Sequence, residues 1–208
     1  MSLSTRPVID LLASFRSSEP TPGGGSASAL SGAVGAALLA MTAGLPKPRI
    51  RTEVEREQLA ASGARCAAVS DRLAALMDRD SDSYDLVLAA FRLPKASDDE
   101  RAARSARIQE ALKAATEAPL DVMRACAAAL HEAGIVAAFG NANASSDVGV
   151  GLELLGAGLR GARLNVEVNL ASVKDQAYVA AVRAEVQRLA ADAIHSDAAA
   201  HTQLERSE

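Results

Sequence analysis

The chain has no tryptophan, and aromatic residues make up only 2% of its 208 positions. The hydrophobic fraction of 49% must therefore come almost entirely from aliphatic side chains. Small side chains let helices approach each other closely, and a chain of this length suits one globular domain. The composition predicts a single core of closely packed aliphatic residues.

The chain also lacks an excess of basic residues, since its formal net charge is -4. A general nucleic-acid-binding protein needs basic surface to neutralise phosphates, so this class is not expected. Cys66 and Cys126 have no CxxC motif and no neighbouring histidine, which predicts neither a metal site nor a disulfide framework. Arg6 and Asp10 interrupt the N-terminal apolar residues, so no signal peptide is expected and the predicted location is a reducing cytoplasm.

Charge is missing altogether from Pro20 to Pro46, a stretch long enough to span a bilayer. Its composition is mostly Ala, Gly and Ser, and its large apolar side chains form one stripe at helical spacing: Leu30, Val34, Leu38, Met41 and Leu45. This pattern favours a helix buried on all sides in protein, with no membrane partner. A membrane-spanning helix that packs through small residues is the alternative.

The start signals in the rest of the chain are helical. Capping boxes begin at Thr52 and at Ser97, each with a glutamate three residues later. The first predicts one long helix, or two abutting ones, over about 53–91. The second opens a helix that Pro119 is expected to kink or restart.

The stop signals complete the pattern. Gly134 and Gly140 predict a break before the next helix, and Asp147 lies where that helix would be capped. A last helix is predicted over about 174–200, followed by a polar tail over about 200–208. Because no alternating run is long enough for a strand, the sequence predicts an all-α fold. It is a single-domain bundle of long helices rich in small residues.

The stretch PTPGGGSASAL, residues 20–30, contains three consecutive glycines, which lose more backbone entropy on folding than other residues. A phosphate-binding P-loop is excluded, because no Lys follows the glycines and no strand precedes them. Ser26 can cap the following helix and leave the amides of Gly23–Gly25 at its positive end, which suits an anionic or carbonyl-bearing ligand. The alternative is that the glycines only allow a tight turn against another helix.

Asparagines occur where an apolar helical protein would not place them without partners. The segment GNANASSD lies between apolar helices, and LNVEVNL interrupts an apolar run; together they contain Asn141, Asn143, Asn165 and Asn169. For GNANASSD the alternative is an ordinary loop with an N-cap.

Asp80 and Tyr84 are four residues apart on one helical face, and Lys95 follows Pro94 at the end of the same segment. A carboxylate, a phenol and an ammonium group could therefore share one groove. The alternative makes Asp80 a solvated acid beside Asp78 and Asp82, and makes Lys95 a surface lysine.

Five segments together resemble the cyclodeaminase/cyclohydrolase family: PTPGGGSASALSGAVGAALLAM, DSDSYDLVLAAFRLPK, RSARIQEALKAATEAPL, GNANASSDVGVG and RLNVEVNL. Members include the formiminotetrahydrofolate cyclodeaminase domain and stand-alone methenyltetrahydrofolate cyclohydrolases. The resemblance runs in order from about residue 8 to residue 190. It departs at GLPKPRIRTE, where Pro46 stands in place of the Thr of many members.

The resemblance implies an all-helical homodimer that binds a tetrahydrofolate derivative in a groove near the subunit interface. It implies catalytic roles for Asp80, Asp147 and Lys95, with the two aspartates as the carboxylates and the lysine as their partner or proton donor. Lys47, Arg49 and Arg51 would meet the glutamate tail. The residues implied in substrate binding are Gly23, Gly24, Gly25, Ser26, Tyr84, Asn141, Asn143, Asn165 and Asn169.

The implied activity is hydrolysis of 5,10-methenyltetrahydrofolate to 10-formyltetrahydrofolate, with formiminotetrahydrofolate cyclodeaminase activity and release of ammonia as the alternative. Both reactions pass through a tetrahedral carbon between two nitrogens, and both need an anion near a cation and a proton shuttle. Neither requires a metal or a cofactor beyond the folate substrate. A non-catalytic helical dimer that keeps the fold is the second alternative.

Overall fold

The structure, a computed structural model, describes residues 2–206. Over that range it contains six α-helices, two short 3₁₀ helices at Leu3–Thr5 and Ala142–Ala144, and no β-strand. The all-α prediction is confirmed. The α-helices are α1 Val8–Phe15, α2 Gly24–Gly44, α3 Glu53–Phe91, α4 Asp98–Phe139, α5 Ser145–Leu170 and α6 Gln176–Glu205.

Both predicted capping boxes are present. Thr52 Oγ1 accepts a hydrogen bond from the Glu55 amide at 3.2 Å, and the Glu55 carboxylate accepts one from the Thr52 amide at 3.0 Å. Ser97 and Glu100 form the same reciprocal pair at the start of α4. These side chains satisfy amides that the first helical turn leaves unpaired, and α3 is one continuous helix.

Two predicted boundaries, at Gly134 and at about residue 200, are wrong, and of the two alternatives at Pro119 the structure excludes the restart. Helix α4 continues through Pro119 without restarting, and Gly134 lies inside it, so only Gly140 ends the helix. Helix α6 extends through Glu205, so most of the predicted polar tail is helical. Residues 207 and 208 lie outside the described range.

Successive long helices run in opposite directions. Ser70 Oγ of α3 donates to Ala33 O of α2 at 2.8 Å, and Ser31 Oγ of α2 donates to Leu154 O of α5 at 2.8 Å. Closer to the N-terminus of α2, Ser26 Oγ donates to Met77 O, which lies further along α3, at 2.8 Å. Helix α2 therefore packs antiparallel to both α3 and α5.

Small residues allow α2 and α5 to touch. A Cβ added to Gly35 would lie 2.7 Å from Gly151 O, and one added to Gly158 would lie 2.8 Å from Ser28 O. Neither position has room for a side chain. Apart from Leu39, the inward residues of α2 are small, and Ala29 and Ala36 are fully buried.

Helix α2 is not buried on all sides as the sequence predicts, because its outward side is apolar and exposed and continues onto α5. Large side chains on this surface remain exposed, with fractions of 44% for Val34, 51% for Val150, 69% for Leu164 and 72% for Val168. On α5, Val150, Leu154, Ala157, Leu164 and Val168 follow each other at steps of three, four or seven residues and therefore form one stripe. We call this surface the α2/α5 face, made of Ala27, Leu30, Val34, Met41, Val150, Leu154, Ala157, Leu164 and Val168.

Within the described range, two helices are long and apolar enough to cross a bilayer: Gly24–Gly44 and Asp98–Phe139. In the most apolar 18-residue stretch of each helix, 44% of the first and 56% of the second is buried inside the protein. Core helices of soluble proteins pass the same test, so the finding is weak evidence for a membrane span.

Candidate functional site

A cavity of about 330 Å³ opens at the N-terminal end of α2, between α3, α4 and α5. It brings together seven of the residues that the sequence implicates: Gly23, Gly24, Gly25, Asp80, Tyr84, Asn165 and Asn169. The six other lining residues were missed by sequence reasoning, because they follow ordinary turn or core patterns: Pro20, Thr21, Val87, Leu112, Ala115 and Val168.

Asp80 is the one charged side chain that lines this cavity among the described residues. Its Oδ2 accepts hydrogen bonds from the Ser26 amide at 2.9 Å and from Ser26 Oγ at 3.3 Å. Its Oδ1 has no protein partner in the described range. The carboxylate is thus held at one oxygen, and the other is available to a ligand.

Burial raises the pKa of the Asp80 carboxyl group, because desolvation disfavours the charged form. The two hydrogen bonds from Ser26 favour the carboxylate and oppose this effect, but the net direction is upward. A carboxyl group with a raised pKa in a cleft is a candidate for proton transfer.

Ser26 does not cap α2 as predicted. The N-cap is Gly23, and Ser26 is the third helical residue, fully buried, with Oγ donating to Met77 O at 2.8 Å. Its hydroxyl is therefore committed to α3, and its contribution to the site is to hold Asp80.

The glycines differ in how closely they approach the site. A Cβ on Gly25 would lie 2.1 Å from Asp80 Oδ1, so no side chain fits there without moving the carboxylate. A Cβ on Gly24 would lie 3.5 Å from Asn165 Nδ2, which is an ordinary contact. Gly25 thus makes room for Asp80, and Gly24 lines the cavity.

The neighbouring acids have other environments. Asp78 accepts hydrogen bonds from Ser2 Oγ at 2.5 Å and from the Leu3 amide at 2.6 Å, so it anchors the N-terminal segment. Asp82 is exposed and does not line the cavity. Only Asp80 of the three acids faces the cavity.

Asn165 and Asn169 project from α5 into the cavity, one turn apart. Asn165 Nδ2 donates to Gly161 O at 2.9 Å, and Asn169 Nδ2 donates to Ala115 O of α4 at 2.8 Å. Both side chains are half-buried and held by main-chain carbonyls.

The remaining implicated residues lie elsewhere in the single chain. Asn141, Asn143 and Asp147 are at the start of α5, where Asn141 Nδ2 donates to Pro46 O and Asp147 is the third helical residue rather than the N-cap. From Asp147 to Asn165 the helix rises roughly 27 Å. One chain therefore does not place these three residues at the cavity.

Lys95 is also outside the cavity. It lies in the exposed loop after α3, and the helix alone separates Asp80 from Phe91 by roughly 16 Å. Its ammonium group has no partner among the described residues. Its role as a proton donor stays a prediction.

The basic segment expected to meet a glutamate tail lies at the far end of α2. Arg49 is engaged there with the C-terminus of α4, donating from its amide to Phe139 O at 2.8 Å and from Nε to Gly140 O at 3.2 Å. Lys47 and Arg51 flank it. Within one chain, this segment is remote from the cavity.

Residues 2–206 contain no group of three or more His, Cys, Asp or Glu side chains placed to hold a metal ion. Cys66 and Cys126 are both buried free thiols, and desolvation raises the pKa of each to about 12. Thiols that stay protonated at neutral pH are poor nucleophiles. Neither thiol lines the cavity.

Residues 7–188 match the family model described as formiminotransferase-cyclodeaminase. The chain is 42% identical over 180 residues to methenyltetrahydrofolate cyclohydrolase from Methylorubrum extorquens, with 85% of each chain covered. It is 31% identical to formimidoyltransferase-cyclodeaminase from Sus scrofa, with 92% of this chain covered. Only 36% of that longer relative is covered.

The fold is similar to that of a solved protein. The crystal structure of formiminotetrahydrofolate cyclodeaminase from Thermotoga maritima superimposes with a TM-score of 0.83, covering 98% of each chain at 25% sequence identity.

Proposed function

Because the chain belongs to the formiminotransferase-cyclodeaminase family, we propose that it hydrolyses 5,10-methenyltetrahydrofolate to 10-formyltetrahydrofolate. The similarity to a methenyltetrahydrofolate cyclohydrolase, matched over 85% of both chains, supports this reaction. The cyclodeaminase reaction is the second candidate, supported by the relatives and the solved structure of that name.

The observation that carries the proposal is the charge of the cavity. Its lining includes one carboxylate, Asp80, and no Lys, Arg or His among the described residues. A partly buried anion without a cationic partner favours a cationic ligand. The methenyl bridge between N5 and N10 carries such a positive charge.

The reaction gives Asp80 a defined task. Water adds to the bridge carbon and loses one proton, which Asp80 Oδ1 can accept. When the bond from carbon to N5 breaks, the added oxygen becomes the formyl oxygen and loses the second proton. N5 takes up one proton and one is released, so Asp80 returns to the carboxylate.

No metal or redox cofactor is included in the proposed reaction. The bridge carbon is already electrophilic because of its positive charge, and hydrolysis transfers no electrons. The free buried thiols are compatible with the predicted reducing cytoplasm.

One pair of assays tests the proposed reaction. Purified protein is given methenyltetrahydrofolate, and the loss of its absorbance is followed; ammonia release from the formimino compound is measured in parallel. We expect rapid loss of the methenyl absorbance. Ammonia release alone would favour the cyclodeaminase, and inactivity in both would leave the non-catalytic reading.

The family resemblance implies a homodimer, and we propose that the α2/α5 face is its interface. The nine residues that define this surface are all apolar, and several of its large side chains are 44–72% exposed in the single chain. Contiguous exposed apolar surface of this kind marks an interaction site. A second copy offers the same apolar surface, as a two-fold dimer requires.

An antiparallel pairing of the two faces would unite the scattered site residues. A two-fold axis across the middle of α2 places the first turn of one α2 beside the last turn of the other. Asn141, Asn143 and Asp147 of one copy would then approach the Asp80 cavity of its partner. Lys47 and Arg51 would accompany them toward the glutamate tail.

Subunit mixing tests this arrangement. Asp80→Asn and Asp147→Asn variants, each expected to be at least about tenfold less active, are unfolded together and refolded as mixed dimers. Random mixing gives half of the dimers one intact site, so about one quarter of wild-type activity should return. If both residues acted within one chain, no activity would return, and the antiparallel arrangement would be wrong.

A further inference from the structure

The orientation of two side-chain amides in the cavity is determined by main-chain carbonyls. A carbonyl oxygen can only accept, so Asn165 must turn its NH₂ group toward Gly161 O, and Asn169 must turn its NH₂ group toward Ala115 O. The other end of each amide is a carbonyl oxygen, Oδ1. Both Oδ1 atoms are therefore acceptors that point away from the backbone.

Neither Oδ1 atom has a protein partner among the described residues. Neither is sealed from solvent, since the buried side-chain atoms without partners in that range are Thr42 Oγ1 and Arg49 Nη1. Both asparagines line the cavity. Their acceptors are therefore open to a ligand.

Pro119 explains why Ala115 O is free to hold Asn169. In a regular helix, the amide of residue 119 would donate to the carbonyl of residue 115, but proline has no N–H. Helix α4 continues through Pro119, and Ala115 O instead accepts from Asn169 Nδ2 at 2.8 Å. A proline inside one helix thus orients an amide on the next.

The wall formed by α3 and α5 consequently presents acceptors. Asn165 Oδ1 and Asn169 Oδ1 can accept hydrogen bonds from a ligand, and the same cavity is lined by apolar residues that include Leu112 and Val168. A ligand that covers such an acceptor without supplying a donor binds less tightly, because the acceptor is then left unpaired. The two asparagine oxygens, one helical turn apart, therefore favour a ligand with neighbouring N–H groups.

We propose that Asn165 and Asn169 accept hydrogen bonds from the pterin edge that carries N3–H and the 2-amino group, and that Pro119 positions Asn169 for this contact. The assignment rests on the proposed folate substrate. It makes the two asparagines specificity residues, because a ring without these donors would leave both oxygens unpaired.

The test compares dissociation constants for tetrahydrofolate and for its analogue with a methyl group in place of the 2-amino group. We expect the wild type to prefer tetrahydrofolate by about tenfold or more, the usual effect of an unpaired polar group. In the variant Asn165→Ala/Asn169→Ala, the preference should fall below about threefold. Gln187→Ala, an exposed amide on α6, is the matched control and should keep the full preference.

Pro119→Ala gives a second variant that keeps both amides. It restores an N–H donor to Ala115 O, so Asn169 is no longer held in one orientation, and the preference should fall at least about threefold while α4 stays helical. Pro119→Ala also tests the ligand preference if the double variant fails to fold. A preference unchanged in the double variant overturns the assignment, and one unchanged in Pro119→Ala overturns the positioning role. Wild-type protein that binds neither compound would overturn the proposed function as well.

Discussion

At the scale of single residues, Asp80 is the side chain on which the proposed chemistry depends. Asp80→Asn keeps an acceptor for the Ser26 amide but removes the base, so kcat should fall by roughly 10²-fold or more with the fold intact. Asp82→Asn, an exposed acid two residues away, is the control and should retain full activity. Equal, small effects on steady-state kcat in both variants would remove Asp80 from the mechanism.

The raised pKa of Asp80 also predicts how stability depends on pH. Its ordinary value is 3.8, and the folded state binds the proton more tightly than the unfolded state does. The contribution of Asp80 to the unfolding free energy therefore falls as the pH rises from 3.8 through the raised pKa. Asp80→Asn removes this penalty, so the melting temperature of the variant relative to wild type should be higher at about pH 7 than at about pH 4. The opposite trend would contradict the raised pKa.

Two neighbouring glycines should respond differently to the same added methyl group. Gly25→Ala forces the Asp80 carboxylate to move, so activity and melting temperature should both fall. Gly24→Ala meets only an ordinary contact with Asn165, so its melting temperature should change little while affinity for tetrahydrofolate weakens. Thermal melts and binding titrations of both variants decide this, and unchanged affinity in Gly24→Ala would leave Gly24 with a structural role only.

At the scale of elements, the contact between α2 and α5 depends on Gly35. A methyl group there would lie 2.7 Å from Gly151 O, so Gly35→Ala should lower the unfolding free energy by about 1–3 kcal/mol in chemical denaturation. Gly134→Ala is the matched control, because nothing lies within 4 Å of the added Cβ in α4. It should raise the unfolding free energy by about 0.5–1 kcal/mol through helix propensity. Equal effects would show that backbone entropy, not crowding, governs both sites.

The sequence predicts a helix start correctly where the capping contacts join residues that are close together in the chain. The capping boxes at Thr52 and Ser97 involve partners three residues away, so the sequence displays both members. Ser26 was assigned the wrong role because its partner, Met77 O, lies 51 residues away. The sequence leaves open whether Pro119 kinks or restarts its helix, because the group that bonds the freed carbonyl, Asn169, belongs to another helix.

Residues of the candidate site were predictable from the sequence only where the residue type is unusual for its position. Asn165 and Asn169 attract attention because asparagine is unusual in an apolar helix, and both line the cavity. Leu112 and Ala115 line it too, but their spacing is that of any core residue. The distance from Lys95 and Asp147 to the cavity depends on helix length and direction, which the motifs do not encode.

At the scale of the whole molecule, the α2/α5 face predicts the state of association. Sedimentation at micromolar concentration should give a species of twice 21.4 kDa. Val34→Glu places a charge in the centre of the face and should produce monomers, because a buried unpaired charge is costly. Val54→Glu, at an exposed apolar position on α3 outside the face, should leave the dimer unchanged. A wild-type monomer would contradict the proposed interface.

Apart from Leu39, the buried residues of helix α2 are small, whereas larger apolar residues such as Val34 and Met41 are exposed on its outward side. Under random mutagenesis, the effect of a substitution at inward positions such as Ala29 and Ala36 should therefore depend on side-chain volume. Serine should allow folding there, and leucine should prevent it. Its outward positions, such as Val34, should discriminate by polarity instead. A library scored for folding and activity would then show two interleaved tolerance patterns along one helix, repeating with the helical turn.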